Sequence, residues 1–174
     1  MATVIPAAGN LPTALTSFVG RRREVGEIRR LVGVGRLVTL TGAGGVGKTR
    51  VALAAAAASR KAFPDGVWLV DLAAVRDPSA VAAATAGALR VPDRGARPAL
   101  DQLTDHLARH RALIVLDNCE HLIDASAALA MALLSACPEL RILATSRQTL
   151  GVTGEHVFVV PPLSIPDEAA MPRS

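Results

Sequence analysis

Short uninterrupted apolar runs alternate along the chain with longer stretches whose apolar positions recur at helical spacing. The runs at 36–41, 67–71, 112–117, 141–145 and 157–160 are dominated by Val, Ile and Leu and predict strands buried on both faces. Between them, 21–32 sets Val25, Ile28, Leu31 and Val32 on one helical face, and Gly33 and Gly35 end it. An alanine-rich stretch predicts a helix over 48–61, with a turn at Pro64-Asp65-Gly66. Asp77 before Pro78 reads as an N-cap followed by proline at the first helical position, which predicts a helix to about Arg90. A loop with two prolines and a glycine fills 91–98. Leu100, Leu103 and Leu107 mark a helix over 99–110, and a last helix over 125–136 stops before Pro138. Strands alternating with helices predict an α/β domain, a parallel sheet covered on both faces. There is no internal repeat, and the prolines and glycine of 1–17 read as an extended lead-in.

The junction of the first strand with its helix carries the candidate chemistry. It reads Gly42-Ala43-Gly44-Gly45-Val46-Gly47-Lys48-Thr49, the spacing G-x-x-x-x-G-K-T. Glycines let the backbone curl inward and aim successive N–H groups at phosphate oxygens, and the helix dipole adds to that field. A plain turn from strand to helix needs no Lys-Thr pair, so the context predicts a phosphate-binding loop. We take Gly42, Ala43, Gly44, Gly45, Val46, Gly47, Lys48, Thr49 and Arg50 as the nucleotide-contacting set. Lys48 would reach the β- and γ-phosphates, and the Thr49 hydroxyl would ligate Mg²⁺.

Composition narrows the picture. Of 174 residues, 51% are hydrophobic and 20% charged, enough for a full core in one domain. Phe18, Phe63, Trp68 and Phe158 are the only aromatic residues, so stacking of nucleic-acid bases has little to work with. The net charge of +4 suits an anionic partner such as a nucleotide without demanding DNA, because no block of five like charges occurs. Cys119 and Cys137 lack metal-ligand spacing and read as reduced thiols of a cytoplasmic protein. No run is long enough to span a bilayer, and the N-terminus lacks the pattern of a signal peptide.

Three other places carry polar groups at strand ends. Asp117 closes an apolar strand, where ligands of open α/β sheets collect; it either holds the Mg²⁺ that bridges the phosphates or caps the following loop. Glu120 either orients a water or faces solvent at the start of a helix. Arg147 follows the strand ending at Thr145 and either reads a γ-phosphate or makes a surface ion pair. Asp71 reads as structural, with water positioning as the alternative, and His121 as structural.

Phe18-Val19-Gly20-Arg21, the glycine loop, Leu116-Asp117-Asn118-Cys119-Glu120-His121, Ala144-Thr145-Ser146-Arg147 and Pro161-Pro162-Leu163-Ser164 together resemble the STAND class of P-loop NTPases. The likeness is to the NB-ARC-like module of actinobacterial SARP- and LuxR-type regulators, over about residues 10–164. It implies a three-layer P-loop sandwich on a five-stranded parallel sheet of the additional-strand type, in which the strand ending at Thr145 lies between those ending at Thr41 and Asp117. It also implies binding of ATP or ADP, Val19 and Arg21 beside base and sugar, Arg147 as sensor, and a slow regulatory switch. On this reading 18–165 is the nucleotide-binding domain and 166–174 a tail that stops before any helical or winged-helix portion.

The chain departs from the resemblance at Arg22, where an acid is usual, and at Asn118, where many relatives carry a second acid. The second departure either argues against brisk hydrolysis or shifts the base role to Glu120. ParA/MinD-type ATPases are excluded, because their signature lysine would fall at Ala43. Two rivals remain, a module that retains nucleotide without hydrolysing it and a DNA-binding regulator, although no basic groove element is evident and no direct nucleic-acid contact is expected. An apolar edge at Leu163 and Ile165 is expected to favour self-association.

Overall fold

The computed structural model describes residues 8–13 and 20–163. Five strands form one parallel sheet: β1 (Leu37–Thr41), β2 (Val67–Asp71), β3 (Leu113–Asp117), β4 (Arg141–Thr145) and β5 (Glu155–Val159). Their spatial order is β2-β3-β4-β1-β5. Five α-helices connect or precede them: α1 (Arg22–Val34), α2 (Lys48–Ala58), α3 (Val81–Ala88), α4 (Ala99–Leu107) and α5 (Ile123–Ala136).

The apolar runs become strands because both faces are covered. Along β3, Leu113 and Val115 point into the layer containing α1 and α2, while Ile114 and Leu116 point into the layer of α3, α4 and α5. The same alternation splits β4, with Leu143 on the first side and Ile142 and Ala144 on the second. That period of two gives each face its own core, hence three layers. In α2, the buried Ala52, Ala55 and Ala56 let the helix lie close on the sheet.

Several element ends differ from the sequence expectation for local reasons. The alanine helix stops at Ala58, where the Ser59 hydroxyl donates to Ala55 O, and a 3-10 turn (Arg60–Ala62) follows. Asp77 does cap, accepting from the Ser79 N–H, but the turn it caps is 3-10 (Pro78–Ala80) before α3 begins. Arg90, at φ 55°, is left-handed just past α3.

β2 is not the buried strand that its apolar run suggests. It lies at the edge, with Trp68 and Leu69 half-buried and Asp71 exposed. Its outer side is covered by the lead-in. Val67 N–H donates to Ala8 O, Asn10 N–H donates to Val67 O, and the Asn10 side-chain amide pairs with both Leu69 backbone groups, at 2.6 and 2.9 Å. The Trp68 indole leans over Gly66, where a Cβ would come within 2.5 Å of its Nε1.

Candidate functional site

Parallel pairing brings the chemistry-bearing ends together. Leu40 registers with Thr145, and Asp71 with Asp117, so β1, β2, β3 and β4 present their C-terminal residues along one edge of the sheet. The glycine loop leaves β1 at that edge. Gly45 (φ 79°) and Gly47 (φ 96°) are left-handed, a region that a side chain would strain. No side chain caps the start of α2, so its first amides face the loop.

Lys48 is buried, and its ammonium donates to Gly42 O and Ala43 O, each at 2.9 Å. An ammonium has three donors, and two hold the chain over the loop. Arg21, whose backbone is left-handed at φ 58°, reaches the loop from the start of α1: its Nη2 donates to Val46 O at 2.8 Å, while its Nη1 is buried with no protein partner. Arg147, although exposed, lies against the same loop; a Cβ on Gly44 would stand 2.8 Å from its Nη2. A side chain at Gly44 would push this exposed arginine aside. Val19 lies outside the described residues. Arg50 is exposed on the first turn of α2.

Beneath the loop, Asp117 is 4% exposed and collects hydroxyls. Thr49 Oγ1 donates to it, at 2.8 Å from Oδ1 and 3.1 Å from Oδ2, and Thr145 Oγ1 donates to Oδ1. A hydroxyl and a carboxylate side by side are the hard oxygen donors that Mg²⁺ accepts together with substrate phosphates, so the residues present fit that ion. Glu120 is half-buried in the turn after β3, and its Oε2 is buried without a partner. No hydrogen bond joins it to Lys48, Thr49 or Asp117 among the described residues.

Sequence reasoning missed two members of this network. Thr145 was legible as a strand end but not as a hydroxyl donor to Asp117. Asn118 was legible only as a missing acid. Its Nδ2 lies 3.0 Å from Asp71 Oδ1 and 3.3 Å from Asp117 Oδ2, joining the two carboxylates. The signal that could have found them is the register of parallel strand ends. His121 is structural, its Nε2 lying 2.8 Å from Val75 O. Burial first of all pushes the Cys119 thiol up to about 12, so this cysteine has no nucleophilic character at neutral pH.

With β4 inserted between the loop strand and the Asp117 strand, the architecture is the additional-strand form of the P-loop NTPase fold. The chain belongs to the AAA-domain family, whose profile matches residues 33–153. It is 51% identical over 142 residues to a putative HTH-type transcriptional regulator of Mycobacterium tuberculosis, covering 82% of this chain and 16% of that protein. It is 32% identical over 173 residues to the regulatory protein AfsR of Streptomyces griseus, covering 91% of this chain and 17% of that one. The chain thus spans less than a fifth of the length of these curated relatives. In fold it is similar to a STAND protein with a tetratricopeptide repeat sensor from Pyrococcus horikoshii, with a TM-score of 0.58 and 20% identity over 89% of this chain and 25% of that one. Cdc6p from Pyrobaculum aerophilum gives 0.60 and 19%, over 87% and 47%. The chain is an AAA-type P-loop module that matches part of proteins named as transcriptional regulators or regulatory proteins. No described helix is long and apolar enough to cross a membrane.

Proposed function

We propose that this module binds ATP or ADP with Mg²⁺ and serves a larger cytoplasmic transcriptional regulator as its nucleotide-dependent switch, with slow hydrolysis of the γ-phosphate. The pairing of Thr49 with Asp117 directly below a loop spanned by Lys48 carries this reading. In it, loop N–H groups and Lys48 hold the phosphates, Thr49 and Asp117 hold the ion, and Arg147 reads the γ-phosphate from across the loop. Arg21 secures the loop at Val46 and faces the nucleotide; for Val19, outside the described residues, the family likeness is the sole support for a contact with base or sugar. Mg²⁺, when bound, neutralises charge between the β- and γ-phosphates. Glu120 positions the attacking water, and its unpartnered Oε2 supports that role.

A second reading is a binder that retains nucleotide without turnover. The amide of Asn118 where a second acid would stand, and the separation of Glu120 from the Asp117 network, favour it. A DNA-binding role for this chain has no comparable support. The exposed Val157 and Val159 of β5, with Leu163, support self-association through that edge.

Titration with a fluorescent ATP analogue tests the common ground. Lys48→Ala removes a charge-assisted contact and should weaken binding about 10- to 100-fold; unchanged affinity would sink the phosphate reading. Single-turnover hydrolysis of labelled ATP separates the alternatives. A rate in the wild type that collapses in Glu120→Gln supports the switch with hydrolysis, a rate unchanged in Glu120→Gln refutes the role of Glu120, and no phosphate release from the wild type leaves only the binder.

A further inference from the structure

Asp71 and Asp117 end neighbouring parallel strands in direct register, so two carboxylates stand side by side at the sheet edge. Unscreened, they repel; the Thr49 and Thr145 hydroxyls hold the inner one chiefly by Oδ1, and Oδ2 has only the longer Thr49 contact, at 3.1 Å, from that side. Asn118 lies between them. Its backbone is left-handed at φ 63°, a conformation that Asn tolerates far better than most side chains. Its N–H donates to Thr145 Oγ1 at 3.0 Å, which anchors the residue to β4. Its side-chain nitrogen carries two protons, and the two carboxylate oxygens within reach match them one to one. Asp71 is itself fixed, because the same Oδ1 accepts the Ala73 N–H at 2.9 Å.

We propose that Asp71, acting through Asn118, is a positioning residue for the metal-side carboxylate Asp117. The Asp71 carboxylate aims the Asn118 amide, and the amide fixes the rotation of Asp117 so that its oxygens face Thr49. The usual place of a second acid is thus filled by a donor, and the second negative charge is moved one strand outward to Asp71. This rests on the Mg²⁺-nucleotide reading above. The plainer alternative is that Asp71 only shapes the turn at Ala73, which would affect folding but not the ion.

The test is the gain in nucleotide affinity produced by Mg²⁺, measured as the ratio of the dissociation constants in EDTA and in Mg²⁺. Asp71→Ala and Asn118→Ala should each cut that gain about tenfold while leaving the EDTA value within about twofold, as loss of an outer partner of a metal ligand does. Asp71→Asn keeps the accepting oxygen and should restore most of the gain, and the double alanine variant should be no worse than Asn118→Ala alone. A full Mg²⁺ gain in Asp71→Ala, or an equal loss in both buffers, overturns the proposal. If the wild type binds nucleotide with a Mg²⁺ gain and Asp71→Ala does too, this inference alone fails. If the wild type binds no nucleotide, the reading beneath it fails as well. Thermal melting of the unliganded variants separates a folding defect from the effect sought, and Asn118→Ala, which leaves the turn at Ala73 untouched, keeps the proposal open to refutation even if Asp71→Ala unfolds.

Discussion

β3 and β5 are parallel strands of equal span in one sheet, yet they live in opposite surroundings. Every residue of β3 is buried, and its last carboxylate organises Thr49, Thr145 and Asn118. β5 pairs with β1 on one side only, and Val157 and Val159 are 44% and 67% exposed. The chemistry sits on the strand whose neighbours leave it no freedom to shift. A carboxylate that must meet a hydroxyl within a few tenths of an ångström needs that confinement, while an outer strand can vary without moving the site.

The contrast can be broken, and the largest effect should come from the centre. Leu116→Ala removes a side chain of zero exposure next to Asp117 and should destabilise the fold by about 2–5 kcal/mol. Denaturant melts read this directly, and a loss below about 1 kcal/mol would mean that β3 is not the rigid member. An intermediate effect is expected at the other edge, where Asn10→Ala frees both backbone groups of Leu69 and should cost about 1–2 kcal/mol. Amide exchange should then speed up in β2 before β3. The smallest belongs to β5: Val159→Lys should alter stability by no more than about 0.5 kcal/mol, and nucleotide affinity not at all. Light scattering of this variant sharpens the comparison, since any self-association through the open edge should fall. A clean wild-type monomer at high concentration would show that the exposed valines attract nothing.

The same pair of strands explains what could be read in advance. The run ending in Asp117 was legible because an apolar strand closed by an acid, downstream of a glycine loop, has few other uses. The apolar run of β5 looked no different, because a sequence pattern records which residues are apolar but not whether anything covers them. The edge position of β2 was illegible for the same reason, and its cover came from Asn10, a side chain acting as a length of strand. Strand order followed from the family likeness, and the structure bears it out. Thr49 bonds to Asp117, and Lys48 folds back onto the loop carbonyls. Asn118 and Thr145 became meaningful only with register, because their partners lie 47 and 28 positions away along the chain.

One placement has an optical consequence. Trp68 is the sole tryptophan, and the chain has no tyrosine. Light at the red edge of protein absorption therefore excites a single indole, fixed on β2 beside Gly66 and three residues before Asp71. Its emission wavelength and quenching by iodide would record the wetting of that edge alone, silent to events in the rest of the sheet. The molecule carries its own reporter on the outer strand, near the end opposite the strand-end carboxylates.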